Sequence, residues 1–272
     1  MRILLAALGS RGDVQPMLAL ARELLLAGHD VLLSAPPDFA AWSAGLGVPF
    51  VAAGPSTEEL LKEHAAAMGA NPLRIVHAVE QMLSRHIPEW FTHVHAAAQG
   101  ASGIVSAGQL VASSVAQKLG IPVIGVVYSP TLLRSSHHPP LMGTVQGLPR
   151  WVNSVMWSVS NGTLDFLLHK PFNAARAGIG LPPVASVNRC IFDEPPFLLA
   201  ADGVVAPAPP DWAARDVTTT GPWFYEDDAA LPADVEAFLE AGPPPVYVGF
   251  GSMVSADTDR VTRAVLEGAS RG

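Results

Sequence analysis

The chain has 272 residues, 49% hydrophobic and 15% charged, which is too apolar for a disordered chain and long enough for one large domain or two. With 16 Lys and Arg against 24 Asp and Glu the net charge is -8, and the scattered cations exclude a nucleic-acid footprint. One cysteine, Cys190, excludes an internal disulfide and a paired-cysteine metal site, and fits a reducing, cytoplasmic setting.

Residues 3–8 form a short apolar run that Gly9-Ser10-Arg11-Gly12-Asp13 stops with charge. That pattern predicts a first buried strand rather than a secretion signal. Residues 16–27 place Met17, Leu20, Leu24 and Ala27 at helical spacing, with Gly28 as the C-terminal cap. Strands are predicted at 31–34 and 49–52, with a short helix over 39–46 between them. Thr57 is read as the cap of a helix whose first turn holds Glu58 and Glu59. Residues 72–98 are helical in pattern with an interruption at Pro88. Strands at 103–106 and 122–127 flank a helix over 109–119.

Residues 129–147, rich in Pro, Ser, His and Gly, read as a long loop with few core anchors. A helix with Trp151, Trp157, Phe166 and Phe172 covers 150–172, and the last strands of the sheet fall at 197–201 and 217–220. A short helix over 231–242 ends at the stiff Gly242-Pro243-Pro244-Pro245 break. A strand over 246–250, the Gly251-Ser252 turn and a helix over 257–269 follow. No stretch reaches the ~18–20 apolar residues needed to cross a bilayer.

Strand–helix–strand units in series imply an α/β, Rossmann-like parallel sheet with helices on both faces. Ligands of such sheets sit beyond the carboxyl ends of the strands, so the loops at 9–15, 107–109 and 128–134 matter most. The organisation expected is a first domain over 1–222, a linker over 223–243 and the first βα unit of an incomplete second α/β domain over 244–272.

Asp13 has two readings at this edge. It is either a helix cap accepting free N–H groups or a general base taking a proton from a substrate hydroxyl. The glycine turn is not G-x-G-x-x-G, which disfavours a nucleotide-dependent oxidoreductase. Gly251-Ser252 is either an ordinary turn or a phosphate contact. His137-His138 is read as a solvated loop pair, with acceptor contact as the alternative. The aromatic helix is either core or the wall of an apolar pocket, and Cys190 is read as a small buried hydrophobe.

The Gly9-Ser10-Arg11-Gly12-Asp13-Val14-Gln15-Pro16 and Pro243-Pro244-Pro245-Val246-Tyr247-Val248-Gly249-Phe250-Gly251-Ser252 blocks resemble the GT-B glycosyltransferases that act on sterols, lipids and natural-product aglycones. Lys118-Leu119-Gly120-Ile121-Pro122, Gly180-Leu181-Pro182-Pro183 and Thr220-Gly221-Pro222-Trp223 continue the resemblance. It implies an acceptor-binding first domain facing a nucleotide-sugar-binding second domain, and inverting transfer without a metal. Asp13 matches the family's base. Plant relatives have His there with an orienting Asp further on, and Ser106 and Ala107 leave no such dyad here. The candidates for acceptor contact are Ser10, Arg11, Gly12, Tyr128, His137, Trp151 and Trp157. Gly251 and Ser252 match the donor side. The implied co-substrate is a UDP-sugar such as UDP-glucose, and the implied acceptor is small and apolar, with peripheral membrane contact as a further expectation. The family's His-Gly-Gly donor stretch is not in the sequence, so the chain alone is expected to be inactive. The alternative from another class is a non-catalytic module that binds an apolar ligand or partner.

Overall fold

The computed structural model describes residues 1–57, 59, 72–108, 110–141, 143, 145–225, 230–249 and 258–269, with the backbone alone for 72–80. Two compact units divide the chain, Met1–Phe224 and Tyr225–Gly272.

The first unit is built on seven strands: β1 (Arg2–Ala7), β2 (Asp30–Ala35), β3 (Phe50–Ala52), β4 (Gly103–Ala107), β5 (Val123–Val127), β6 (Phe197–Leu199) and β7 (Val217–Thr219). All pair in parallel, in the order β3-β2-β1-β4-β5-β6-β7. The chain turns back across the sheet between β1 and β4, which puts the topological switch point at their carboxyl ends. There Leu8 N–H donates to Ala107 O at 2.9 Å. Gly108 makes this approach possible, because its φ is +68° and a Cβ would lie 2.7 Å from Leu8 O.

Alternation along the central strands feeds two cores. Leu4 and Ala6 of β1 and Ile104 of β4 face α3 (Pro72–Ala97), α4 (Ala112–Leu119) and α5 (Arg150–Gly178), where Ile87, Trp90, Phe91, Val115, Leu168 and Phe172 close over them. Leu5, Ala7 and Leu33 face Val14, Met17 and Leu18 of α1 (Arg11–Leu26), next to the small α2 (Ala40–Gly45). Each fully buried Leu, Ile or Phe contributes ~1.5–3 kcal/mol.

Several boundaries differ from the sequence expectation. α1 starts at Arg11 rather than Pro16, so the expected loop over 9–15 is mostly helix. α3 runs through Pro88 without a break. Pro88 is exposed, and the buried face of Leu83, Ile87, Trp90, Phe91 and Val94 continues on both sides of it, so packing outweighs one lost backbone hydrogen bond. α1 ends as expected, with Gly28 N–H on Leu25 O and His29 N–H on Leu24 O.

The 129–147 segment is pinned rather than slack over residues 134–138. Ser135 Oγ, Ser136 N–H and Ser136 Oγ all donate to Asp211, at 2.7, 2.7 and 3.0 Å. Trp212 Nε1 donates to Arg134 O, and Asn153 Nδ2 donates to Ser136 O. Burial pushes the Asp211 carboxyl up, but the bonds from Ser136 and Ser135 and the charge of His137 outweigh it. The carboxyl is held below its usual range, and the tether survives mild acid.

Arg176, in the last turn of α5, is 1% exposed and has no carboxylate partner among the described residues. Its guanidinium donates to Ser114 Oγ, Gln117 Oε1 and Pro182 O. Three neutral acceptors and the negative C-terminal ends of α5 and α4 carry the charge. Arg176→Ala empties a buried site and takes the guanidinium donor from the buried Ser114 Oγ, while Gln117 and Pro182 are exposed to water. We expect it to lower stability by ~3 kcal/mol, read as a fall in the urea midpoint with an unchanged m-value. A midpoint within error of wild type is incompatible with this assignment.

The second unit contains α6 (Ala233–Glu240) and α7 (Thr258–Ala269). The strand expected over 246–250 does not form over 246–249, where the backbone pairs with nothing in a sheet. A parallel strand exists only beside a neighbour, and the described residues of this unit supply none. Gly251 and Ser252 lie outside the described residues. Among the described residues no helix is long and apolar enough to cross a membrane, and no three His, Cys, Asp or Glu side chains gather as a metal site.

Candidate functional site

The first turn of α1 stands at the switch point. Ser10 is its N-cap and Asp13 its third residue, one of the two positions of a capping box. The Ser10 N–H donates to Asp13 Oδ2 at 2.8 Å, and the Ser10 hydroxyl donates to the same oxygen at 3.4 Å. Asp13 is therefore a helix-capping acid, though at the third residue rather than at the cap itself. Its Oδ1 accepts nothing from the described residues. Gly9 has a φ of +129°, and a Cβ there would lie 2.2 Å from Asp13 Oδ2. The carboxylate folds back into space that only glycine leaves open.

Two distant segments join this turn. Thr57 Oγ donates to Gly9 O at 3.0 Å, and the Tyr128 hydroxyl donates to Asp13 O at 3.0 Å. The helix expected after Thr57 falls largely outside the described residues. Asp13 is half-buried, and burial raises its carboxyl above the usual range despite the two bonds from Ser10, which lower it. The group thus titrates closer to neutrality than an ordinary aspartate and is a better base once ionised. Burial, aided by the Asp13 charge, pushes the Tyr128 phenol far up, so it stays protonated.

Of the expected acceptor contacts, Ser10 and Tyr128 meet at Asp13. Arg11 and Gly12 lie exposed in the same turn, with Arg11 Nε donating to Gln15 Oε1 and its guanidinium 5.0 Å from the Trp42 ring. No described contact joins His137, Trp151 or Trp157 to Asp13. His137 N–H donates to Ser135 Oγ within the tethered loop. Trp151 is 72% exposed. Trp157 is buried and donates to His138 O at 3.0 Å, and His138 packs edge-on between Trp157 and Trp212. His138 is thus a loop anchor, not a solvated residue. Cys190 is buried against Ser114, and burial raises its thiol, as suits an inert side chain.

Two cavities adjoin at the carboxyl ends of β4 and β5. One, of about 240 Å³, is lined by Ser106, Leu110, Val127, Ile191 and Phe197. The other, of about 140 Å³, is lined by Trp157, Leu141, Leu164 and Arg134, and both share Leu132 and Phe192. Asp211 and Trp212, which hold the loop over this region, carry no local sequence signal.

Residues 3–135 match the glycosyltransferase family 28 N-terminal domain. Over those residues the chain carries that domain. It is 38% identical to glycosyltransferase GtfC of Amycolatopsis orientalis over 98% of this chain and 64% of that protein. It is 37% identical to the vancomycin aglycone glucosyltransferase of the same organism, over 96% of this chain and 63% of that one. The chain thus spans less than two thirds of the length of these relatives. In fold it is similar to the spinosyn forosaminyltransferase SpnP, with a TM-score of 0.59 and 18% identity over 98% of this chain and 62% of that one. The parallel sheet of the chain follows the GT-B pattern, as the sequence resemblance implied.

Proposed function

We propose that the protein moves a sugar, with inversion, from a nucleotide sugar to a hydroxyl of an apolar acceptor, and that Asp13 is the general base. The observation that carries this reading is the Asp13 carboxylate, half-buried at the switch point, with Oδ2 tied to Ser10 and Oδ1 accepting nothing from the described residues. The acceptor O–H proton passes to Asp13. The acceptor oxygen bonds to the anomeric carbon while the bond from that carbon to the nucleotide's terminal phosphate oxygen breaks. The electron pair leaves on the diphosphate.

On this reading residues 1–222 bind the acceptor, 223–243 link, and 244–272 open the donor-binding part, with Gly251 and Ser252 at the diphosphate. The donor is UDP-glucose or a similar nucleotide sugar. The relative that glucosylates the vancomycin aglycone supports a natural-product aglycone. The stripe of Trp151, Val155, Val159 and Phe166, exposed along α5, supports a lipid-like acceptor approached by peripheral membrane contact. A cytoplasmic setting fits the single cysteine.

The test is incubation of the full-length enzyme with UDP-glucose and a panel of aglycones, read by mass spectrometry. A hexose mass added to an aglycone is expected. Failure with every nucleotide sugar and aglycone, in a folded sample, overturns the transferase reading. The cavities also predict saturable quenching of tryptophan fluorescence by an apolar polyphenol. Trp157 lines one of them, so Trp157→Phe should remove most of the quenching. Quenching that persists in full in the variant would place the ligand elsewhere.

A further inference from the structure

Tyr128 is suited to either of two jobs. Its phenol either touches the acceptor, as the sequence suggested, or it serves the base. The first turn of α1 needs an external tether. Gly12 follows Arg11 there, and Pro16 has no N–H to give the Gly12 carbonyl four residues back, so this turn is held by fewer internal bonds than usual. The Tyr128 hydroxyl, at the carboxyl end of β5, spends its one proton on the Asp13 carbonyl at 3.0 Å. It therefore cannot donate that proton to an acceptor.

We propose that Tyr128 is the positioning residue of the Asp13 base: it fixes the first turn of α1 so that Oδ2 stays on Ser10 and Oδ1 takes the proton. This rests on the reading of Asp13 as the base. The phenol itself is no rival base, because burial and the Asp13 charge keep it protonated. The bond also ties the carboxyl end of β5, where the acceptor loop begins, to the residue that removes the acceptor's proton.

The test is Tyr128→Phe in the full-length enzyme, with kcat and acceptor KM measured across pH. Losing the tether is expected to lower kcat ~10-fold, the scale of a small misplacement, with KM within about twofold. The acid limb of the profile should also move to lower pH, because a looser turn admits water to Asp13 and burial is what raises its carboxyl. Placing 4-aminophenylalanine at 128 keeps a donor there and should restore both kcat and the limb. A rise in KM with an unmoved limb would make Tyr128 an acceptor contact and overturn the proposal, as would kinetics unchanged in the Phe variant. Should the Phe variant not fold, the aminophenylalanine enzyme decides alone, since an altered limb there contradicts the tether. Asp13→Asn separates the two readings. Full turnover by that variant removes the base and the proposal together, whereas its inactivity beside an unaffected Tyr128→Phe removes the proposal alone.

Discussion

Asp13→Asn is expected to lower kcat at least ~100-fold, the usual scale for a general base. The substituted amide keeps an oxygen that accepts the Ser10 N–H, now met by Asp13 Oδ2 at 2.8 Å, so the cap and the fold should persist. Circular dichroism and the unfolding midpoint check the fold, and initial rates at saturating acceptor check the chemistry. The wild-type rate should fall in acid above the pH range of an ordinary carboxylate, because burial raises the Asp13 carboxyl and its ionised form is the base. An Asn variant within tenfold of wild type would remove Asp13 from the proton transfer.

Gly9→Ala should be nearly as damaging from outside the reacting atoms. The backbone there, with φ at +129°, is close to glycine-only territory, and forcing a side chain into it costs ~1–3 kcal/mol. The added methyl would lie 2.2 Å from Asp13 Oδ2, so the carboxylate must swing off Ser10. A displaced base predicts a ~100-fold fall in kcat. The double variant Gly9→Ala with Asp13→Asn separates the mechanisms. If Gly9 acts through Asp13, the second substitution adds little to the kinetic loss while the stability cost remains. A double variant slower than Asp13→Asn by a further factor of ~100 would mean that Gly9 serves the reaction by some other route.

The sheet was legible because parallel strands buried on both faces are continuous apolar runs, and β1, β2, β4 and β5 are such runs. The start of α1 was misread because Gly12 and Pro16 look like helix breakers, although Ser10 followed by an acid three residues later was already a start signal. Pro88 misled in the same way against an apolar repeat that runs on from Leu83 to Val94. The strand expected over 246–250 had the right composition, but composition supplies no neighbour. At the site, the turn chemistry of Ser10 and Asp13 was visible locally. The Tyr128 bond spans 115 residues, and the Asp211 bonds span 75 and 76, so no local pattern encodes them. The aromatic helix suggested a pocket wall, but Trp151 faces solvent and Trp157 divides its ring between a loop anchor and a small cavity.

The Asp211 tether also sets an order of assembly. The loop that begins after β5 is held by a carboxylate 75 residues later, in the turn just before β7. During synthesis from the N-terminus, β1, α1 and Asp13 can settle while the loop still lacks its clasp, and closure waits for the sheet edge to arrive. The loop over the cavities is then a late product of folding, finished after the strands that carry it. Nascent chains stopped between β6 and residue 211 would hold the parallel core and an acceptor loop still open to proteases.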